Sequence, residues 1–104
     1  MGNYLLAYRG GRMAETEEER NAQMAAWGAW FGALGDAVVD AGNPFAGSAT
    51  VGSDGAVSDG AGSGLGGYSL LKADSLAAAT ELAKGSPVLS GGGSVDVYET
   101  MAVM

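Results

Sequence analysis

The sequence predicts an α+β fold in which two helices cover one face of an antiparallel sheet. Apolar runs open the chain, follow its glycine-rich middle and close it, as the strands of a sheet would. Segments between these runs carry helix-capping signals. The 104 residues are 47% apolar and only 16% charged. This length and composition suit a single domain over residues 1–104 with a buried core.

Three apolar runs predict the strands of the sheet: residues 3–9, 67–73 and 94–103. Each run alternates between two sets of largely apolar side chains, which is typical of strands buried on both sides. The alternation does not say which set faces the helices. Eight side chains of these runs are expected to lie either in the core or in an interface on the other face of the sheet: Tyr4, Leu6, Tyr8, Tyr68, Leu70, Val95, Val97 and Met101.

Capping signals predict the two helices. Thr16 and Glu19 have the spacing of a capping box, so that a helix should cover about residues 17–35. Ser75 is placed to cap a second helix over residues 76–84. The apolar stripe of the first helix recurs at three- and four-residue steps: Met24, Trp27, Phe31, Leu34 and Val38.

The middle of the chain, residues 41–67, is rich in glycine and serine. Composition alone indicates a flexible linker. However, Asp54-Gly55 lies between two β-capable runs, and such a pair favours a hairpin turn in which both turn residues have positive φ. We therefore expect a hairpin at 49–58, followed by a mobile loop at 60–64.

The predicted order of elements is β-α-(hairpin)-β-α-β, which is that of a ferredoxin-like sheet with both helices on one face. The opposite face of the sheet is then left without a helix. An apolar sheet face of several hundred Å² is usually an interaction site. Self-pairing about a two-fold axis is the commonest way to cover it. We therefore expect a homodimer that pairs through the open face.

Composition excludes several classes of function. Twelve acidic against five basic residues give a net charge of −7, which argues against nucleic-acid or anionic-membrane partners. The absence of cysteine excludes a disulfide scaffold, a thiol nucleophile and Cys-ligated metals. The absence of histidine excludes a Ser-His-Asp triad. We expect no metal or cofactor, no signal peptide and no membrane span, and therefore a cytoplasmic protein.

Several segments resemble the YCII-related, or DGPF-domain, proteins. Residues 66–79, with the sequence GGYSLLKADSLAAA, resemble the family block LGGYYLIDADDLDEAL. Asp59-Gly60 lies where the DGPF motif of the family begins. Residues 93–98 are similar to its closing strand GSVEVRP, and residues 4–8 to its opening strand. The resemblance implies a dimeric α+β barrel, in which two ferredoxin-like subunits pack sheet against sheet.

The resemblance implies little about activity, since most members of the family have no assigned reaction. Some relatives in the wider superfamily are lyases, isomerases or dehydrochlorinases that act on small aromatic or lactone substrates. A His-Asp pair proposed as catalytic in some members has no counterpart here, because the chain has no histidine. Ala61 and Gly62 also replace the Pro-Phe of the DGPF motif, so a pocket shaped by that motif would be altered.

Four residues are candidates for ligand binding: Tyr8, Arg9, Asp59 and Tyr68. Asp59 could bind or deprotonate a ligand, or it could be a turn residue that bonds its own backbone. Arg9 could bind a carboxylate with a bidentate fork, or pair with one of the chain's own acids. The two tyrosines could offer phenol groups to a pocket, or pack in the core or the dimer interface.

The aromatic residues of the first helix, Trp27, Trp30 and Phe31, could stack on a planar ligand, although aromatic residues on a helical stripe usually belong to the core. A glycine pattern at 62–67 fits a nucleotide-binding fingerprint as letters, but a strand follows it where a helix is required.

Two functions remain open. The first is a homodimeric small-molecule-binding or accessory module. The second is a lyase or isomerase that uses Asp59 or a tyrosine as acid or base. The missing histidine favours the first.

Overall fold

The computed structural model describes residues 2–10, 14–60 and 64–101. Its regular elements follow in chain order, with short 3₁₀ turns at Gly35–Ala37 and Pro87–Gly91: β1 (Gly2–Arg9), α1 (Glu17–Leu34), β2 (Val38–Asp40), β3 (Ala49–Val51), β4 (Val57–Asp59), β5 (Leu65–Ala73), α2 (Leu76–Ala83) and β6 (Ser94–Glu99). The predicted α+β class is confirmed.

Four of these strands form an open main sheet in the order β2-β5-β1-β6, and every neighbouring pair is antiparallel. The three apolar runs of the sequence therefore share one sheet, as predicted. In the centre of the sheet, Leu5 lies opposite Leu70 on one side and opposite Tyr98 on the other. The remaining two strands, β3 and β4, form a separate hairpin.

Both predicted helix starts are confirmed by their capping contacts. The backbone N–H of Glu19 donates to Thr16 Oγ1 at 3.0 Å, and that of Ala78 donates to Ser75 Oγ at 3.1 Å. Each bond satisfies one of the backbone donors that a helix leaves free in its first turn. The two helices therefore begin at Glu17 and Leu76.

The prediction that Val38 continues the stripe of α1 is wrong. Gly35 ends the helix with a φ of 56°. Val38 then lies in β2, where it pairs with Leu71 at the edge of the sheet. The cause is a tertiary contact, because the β-branched Val38 gains a strand partner that helical periodicity along the sequence does not reveal.

The last strand is shorter than predicted. It ends at Glu99, which lies opposite Tyr4 near the beginning of β1. The next residue, Thr100, is tied to the first strand by its backbone N–H and by its Oγ1, which donate to the carbonyl oxygen of Asn3 at 3.1 and 2.8 Å. Residues 102–103 of the predicted strand lie outside the described residues.

The predicted hairpin at 49–58 forms, with Ala49 opposite Asp59 at its open end. Its turn differs from the expected one. Only Gly55 has a positive φ, and the backbone N–H of Gly55 donates to the carbonyl oxygen of Gly52 at 2.9 Å. The turn is therefore a three-residue loop with glycine in the left-handed position. Asp54 stabilises it by accepting a bond from the N–H of Ala56. Of the predicted mobile loop at 60–64, residues 61–63 lie outside the described residues.

The core lies between the helices and one face of the main sheet. Leu6 and Leu71, both fully buried, pack there with Trp30 of α1 and Ala83 of α2. A second cluster joins Tyr4, Ala73 and Ala79. Since alternate residues of a strand point to opposite faces, the other face carries Leu5, Ala7 and Leu70. We call this second face the open face.

Candidate functional site

A cavity of about 560 Å³ lies between α1 and the helix-facing side of the sheet. Trp27 and Phe31 of α1 line one side, and Tyr8 and Ser69 of the central strands line the other. The segment 41–44, which follows β2, lines a third side. None of the described residues that line the cavity is charged.

The aromatic side chains of α1 divide between core and cavity. Trp30 is buried, and its indole N–H donates to the carbonyl oxygen of Leu82 at 3.3 Å. Trp27 and Phe31 are half-buried, with ring centroids 5.8 Å apart. The Trp27 ring also meets Tyr8 edge-on, with centroids 4.9 Å apart. Trp27 and Phe31 therefore pack against the core and also form an aromatic wall of the cavity.

A chain of two hydroxyl groups lies at the sheet side of the cavity. Tyr8 donates from its hydroxyl to Ser69 Oγ at 2.8 Å, and Ser69 donates to the carbonyl oxygen of Ala41 at 2.6 Å. Burial raises the pKa of Tyr8, and the bond to Ser69 opposes that rise only in part. The bond from Ser69 to Ala41 also ties the segment 41–44 to the sheet.

Glycine allows the segment 41–44 to lie close to β5. A Cβ on Gly42 would come within 1.8 Å of the carbonyl oxygen of Tyr68, and its φ is +75°. A Cβ on Gly67 would come within 3.2 Å of Pro44. The N–H of Phe45 donates to the carbonyl oxygen of Gly66 at 2.8 Å. The cavity wall therefore depends on a close approach of two backbones, for which Gly42 is required.

The structure brings two of the four predicted site residues to the cavity. Tyr8 and Tyr68 both line it. Tyr68 lies opposite Ala7 in the register, and its side chain therefore belongs to the open face. There its ring stacks on Phe45 with centroids 6.0 Å apart, and its hydroxyl donates to Asp40 at 3.4 Å.

Arg9 and Asp59 are not among the residues that line the cavity. Arg9 Nε donates to Asp96 Oδ2 at 2.7 Å across β1 and β6, and this bond raises the pKa of Arg9. Asp59 lies exposed at the open end of the β3–β4 hairpin, opposite Ala49. Neither side chain therefore joins that of Tyr8 at the cavity.

Sequence reasoning missed Ser69 and the segment 41–44. Ser69 is fully buried, and the available signal was a lone hydroxyl on the strand face that also carries Leu71 and Ala73. The glycine-rich composition around Gly42 indicated a linker because composition does not distinguish a mobile glycine from one that permits backbone contact. The sequence offers Trp27, Trp30 and Phe31 as residues that could stack on a ligand; Trp27 and Phe31 line the cavity, whereas Trp30 belongs to the core.

The described residues contain neither a metal site nor a helix suited to a bilayer. Within residues 2–10, 14–60 and 64–101, no three acidic side chains are placed so that they could hold a metal ion. No helix in these ranges has the length and apolar character needed to cross a membrane. Comparisons of the chain with protein-family models, with curated proteins and with solved structures found no match.

Proposed function

We propose that this protein is a homodimeric small-molecule-binding protein that takes a neutral, planar ligand into the cavity beside α1. The observation that carries the proposal is the lining of the cavity. Trp27 and Phe31 form an aromatic wall, and no charged residue is among the described residues that line the cavity. Its volume of about 560 Å³ falls within the range usual for ligand pockets, which are mostly apolar with few polar groups.

The chemistry of the wall favours a planar, uncharged ligand. Aromatic rings attract other rings in offset or edge-on arrangements, which contribute about 0.5–1.5 kcal/mol beyond the burial of area. Trp27 and Phe31 are only half-buried, so a ligand would cover apolar surface that is now exposed. A carboxylate or ammonium group would lose water without an opposite charge among the described lining residues.

The homodimer, the ferredoxin-like topology and the kinship with the YCII-related family are part of the same proposal. The strand order β2-β5-β1-β6 supports the topology, because it interleaves two split β-α-β units. The open face supports the dimer, since it presents Leu5, Leu70 and the half-exposed Tyr98 side by side. The cavity lies on the helix side of the sheet, away from the face proposed to pair.

The alternative, a lyase or isomerase that uses Asp59 or a tyrosine as acid or base, draws less support from the geometry. Asp59 is not a lining residue. Tyr8 does line the cavity, but burial raises its pKa, so its phenolate is scarce near neutral pH. Binding is therefore the function that the cavity supports best.

Calorimetric titration tests the proposal with indole, a neutral planar probe, and with indolylacetate, its anionic derivative. We expect indole to bind with a Kd below about 1 mM and indolylacetate to bind more weakly, because its carboxylate must be desolvated. Trp27→Leu should weaken indole binding by roughly three- to tenfold, the size of one aromatic contact. Circular dichroism checks that the variant is folded.

Phe45→Leu is the matched control, because it removes an aromatic ring that stacks on Tyr68 but does not line the cavity. Its affinity for indole should equal that of the unmodified chain. Absence of indole binding at millimolar concentration, or equal loss of affinity in both variants, would rule out the aromatic wall as the binding site.

A further inference from the structure

We infer that the cavity selects ligands that donate a hydrogen bond, an inference that rests on the proposed function and specifies its ligand class. The observation is the direction of the hydroxyl chain that runs from Tyr8 through Ser69 to the backbone of Ala41. Both hydroxyl hydrogens are committed to this chain, which leaves the cavity with a hydrogen-bond acceptor at Tyr8.

The carbonyl group at the end of the chain fixes the direction. A carbonyl oxygen can only accept, so the single hydroxyl hydrogen of Ser69 must point to Ala41, at 2.6 Å. Ser69 then meets the Tyr8 hydroxyl as an acceptor, and the single hydroxyl hydrogen of Tyr8 points to Ser69, at 2.8 Å. The phenol oxygen of Tyr8 keeps an unused lone pair and no free hydrogen.

Tyr8 is the member of the chain that a ligand can meet. Both residues line the cavity, but Ser69 is fully buried, whereas Tyr8 retains 7% of its surface. A ligand N–H or O–H finds an acceptor there. A ligand that offers only an oxygen lone pair would have to draw the Tyr8 hydrogen away from Ser69, and the buried Ser69 oxygen would lose its donor.

Besides Tyr8 and Ser69, two other lining residues have polar side chains. Tyr68 directs its hydroxyl to Asp40 on the open face, away from the cavity. Asn43 does not impose the same selection as Tyr8. It is exposed, and an amide group both donates and accepts. The preference therefore arises at Tyr8 alone. The expected ligand class is a neutral planar ring system with an N–H or O–H group, such as a phenol or an N–H heteroarene, and not an ether or a quinone.

Indole and benzofuran test this inference, because they have nearly the same shape and differ in an N–H group that benzofuran replaces with oxygen. We expect the unmodified chain to bind indole about three- to tenfold more tightly than benzofuran, the value of one hydrogen bond. Tyr8→Phe should remove most of that ratio, because it removes the acceptor that the N–H group of indole meets and that benzofuran cannot use. This comparison cancels the difference in hydration between the two probes.

Ser69→Ala tests the direction of the hydroxyl chain through the affinity for benzofuran, which a purely structural role of the two hydroxyl groups would not raise. It removes the acceptor of the Tyr8 hydroxyl, so the Tyr8 hydrogen becomes free to donate to a ligand. Benzofuran should then bind more tightly than it binds the unmodified chain. Equal affinity for both probes, or an affinity ratio that Tyr8→Phe leaves unchanged, overturns the donor preference but not the proposed function. Failure of both probes to bind the unmodified chain overturns both.

Discussion

At the scale of the residue, Tyr8 joins the core to the cavity. It belongs to the same buried cluster as Leu6 and Trp30, its ring meets Trp27 edge-on, and its hydroxyl begins the chain through Ser69. Alternation in the sequence predicted that Tyr8 shares a face with Leu6. It did not predict that this face turns to the helices, because the choice depends on the partners of β1, which lie far away in the sequence.

Burial of Tyr8 predicts a loss of stability in alkali. Its pKa in the folded chain is raised above the ordinary value of 10.0, so its contribution to stability is complete below about pH 10 and is lost as pH rises through the folded pKa. Tyr8→Phe should therefore reduce the fall in the free energy of unfolding above about pH 10. The pKa of Tyr4 is also raised, mainly by burial, so a smaller fall should remain.

Urea unfolding of the unmodified protein and of Tyr8→Phe, at neutral pH and above about pH 10, measures this effect. Tyr8→Phe should cost about 1 kcal/mol at neutral pH, the contribution of one hydrogen bond. The difference in the free energy of unfolding between the two proteins should be smaller at the higher pH. An equal difference between the two chains at both pH values would contradict a raised pKa for Tyr8.

At the scale of the element, local signals predicted more than long-range ones. Thr16 and Ser75 cap their helices by contacts within one turn, so the sequence placed both helix starts correctly. The short strand β2 (Val38–Asp40) was missed because its partner lies about thirty residues away. The hairpin was predicted from Asp54-Gly55, but its loop is longer than the pair alone indicates.

The segment 41–44 carries the sharpest prediction at this scale. Gly42→Ala should lower the free energy of unfolding by at least about 2 kcal/mol, because a left-handed φ and a clash with the Tyr68 backbone act together. It should also weaken indole binding, since the cavity wall must move. Gly47→Ala is the control, because its Cβ would meet nothing within 4 Å and its φ is not positive.

Urea unfolding and calorimetric titration measure the two effects. Gly47→Ala should change stability by less than about 0.5 kcal/mol and leave indole binding unchanged. A Gly42→Ala variant as stable as Gly47→Ala would contradict the close approach of segment 41–44 to β5.

At the scale of the whole molecule, the proposal is that two chains pair through the open face, and the oligomeric state tests it. Sedimentation at micromolar concentration should give twice the chain mass of 10.3 kDa. Tyr98→Glu should shift the mass toward that of one chain, because a charge would be buried between the two sheets. Leu89→Glu is the control, since Leu89 is similarly exposed but lies in the Pro87–Gly91 turn, outside the sheet. A single 10.3 kDa species for the unmodified chain would contradict the dimer.

Apart from β2, the order of elements was predictable at this scale, because each of the other strands and both helices carry their own local pattern. The cavity was not, because it is formed by α1, two central strands and the segment 41–44, which no spacing in the sequence relates. Of the four site residues predicted from the sequence, Tyr8 and Tyr68 line the cavity, whereas Arg9 has an ion-pair partner and Asp59 lies on the hairpin.

The central claim is that a small planar ligand binds between α1 and the sheet. Two-dimensional proton–nitrogen correlation spectra, recorded while indole is added, test it most directly. The account predicts that the indole N–H signal of Trp27 and the backbone signals of Gly42 and Gly67 shift together, because all three residues line the cavity. Shifts confined to Leu5, Leu70 and Tyr98 would place the ligand on the open face and contradict the account.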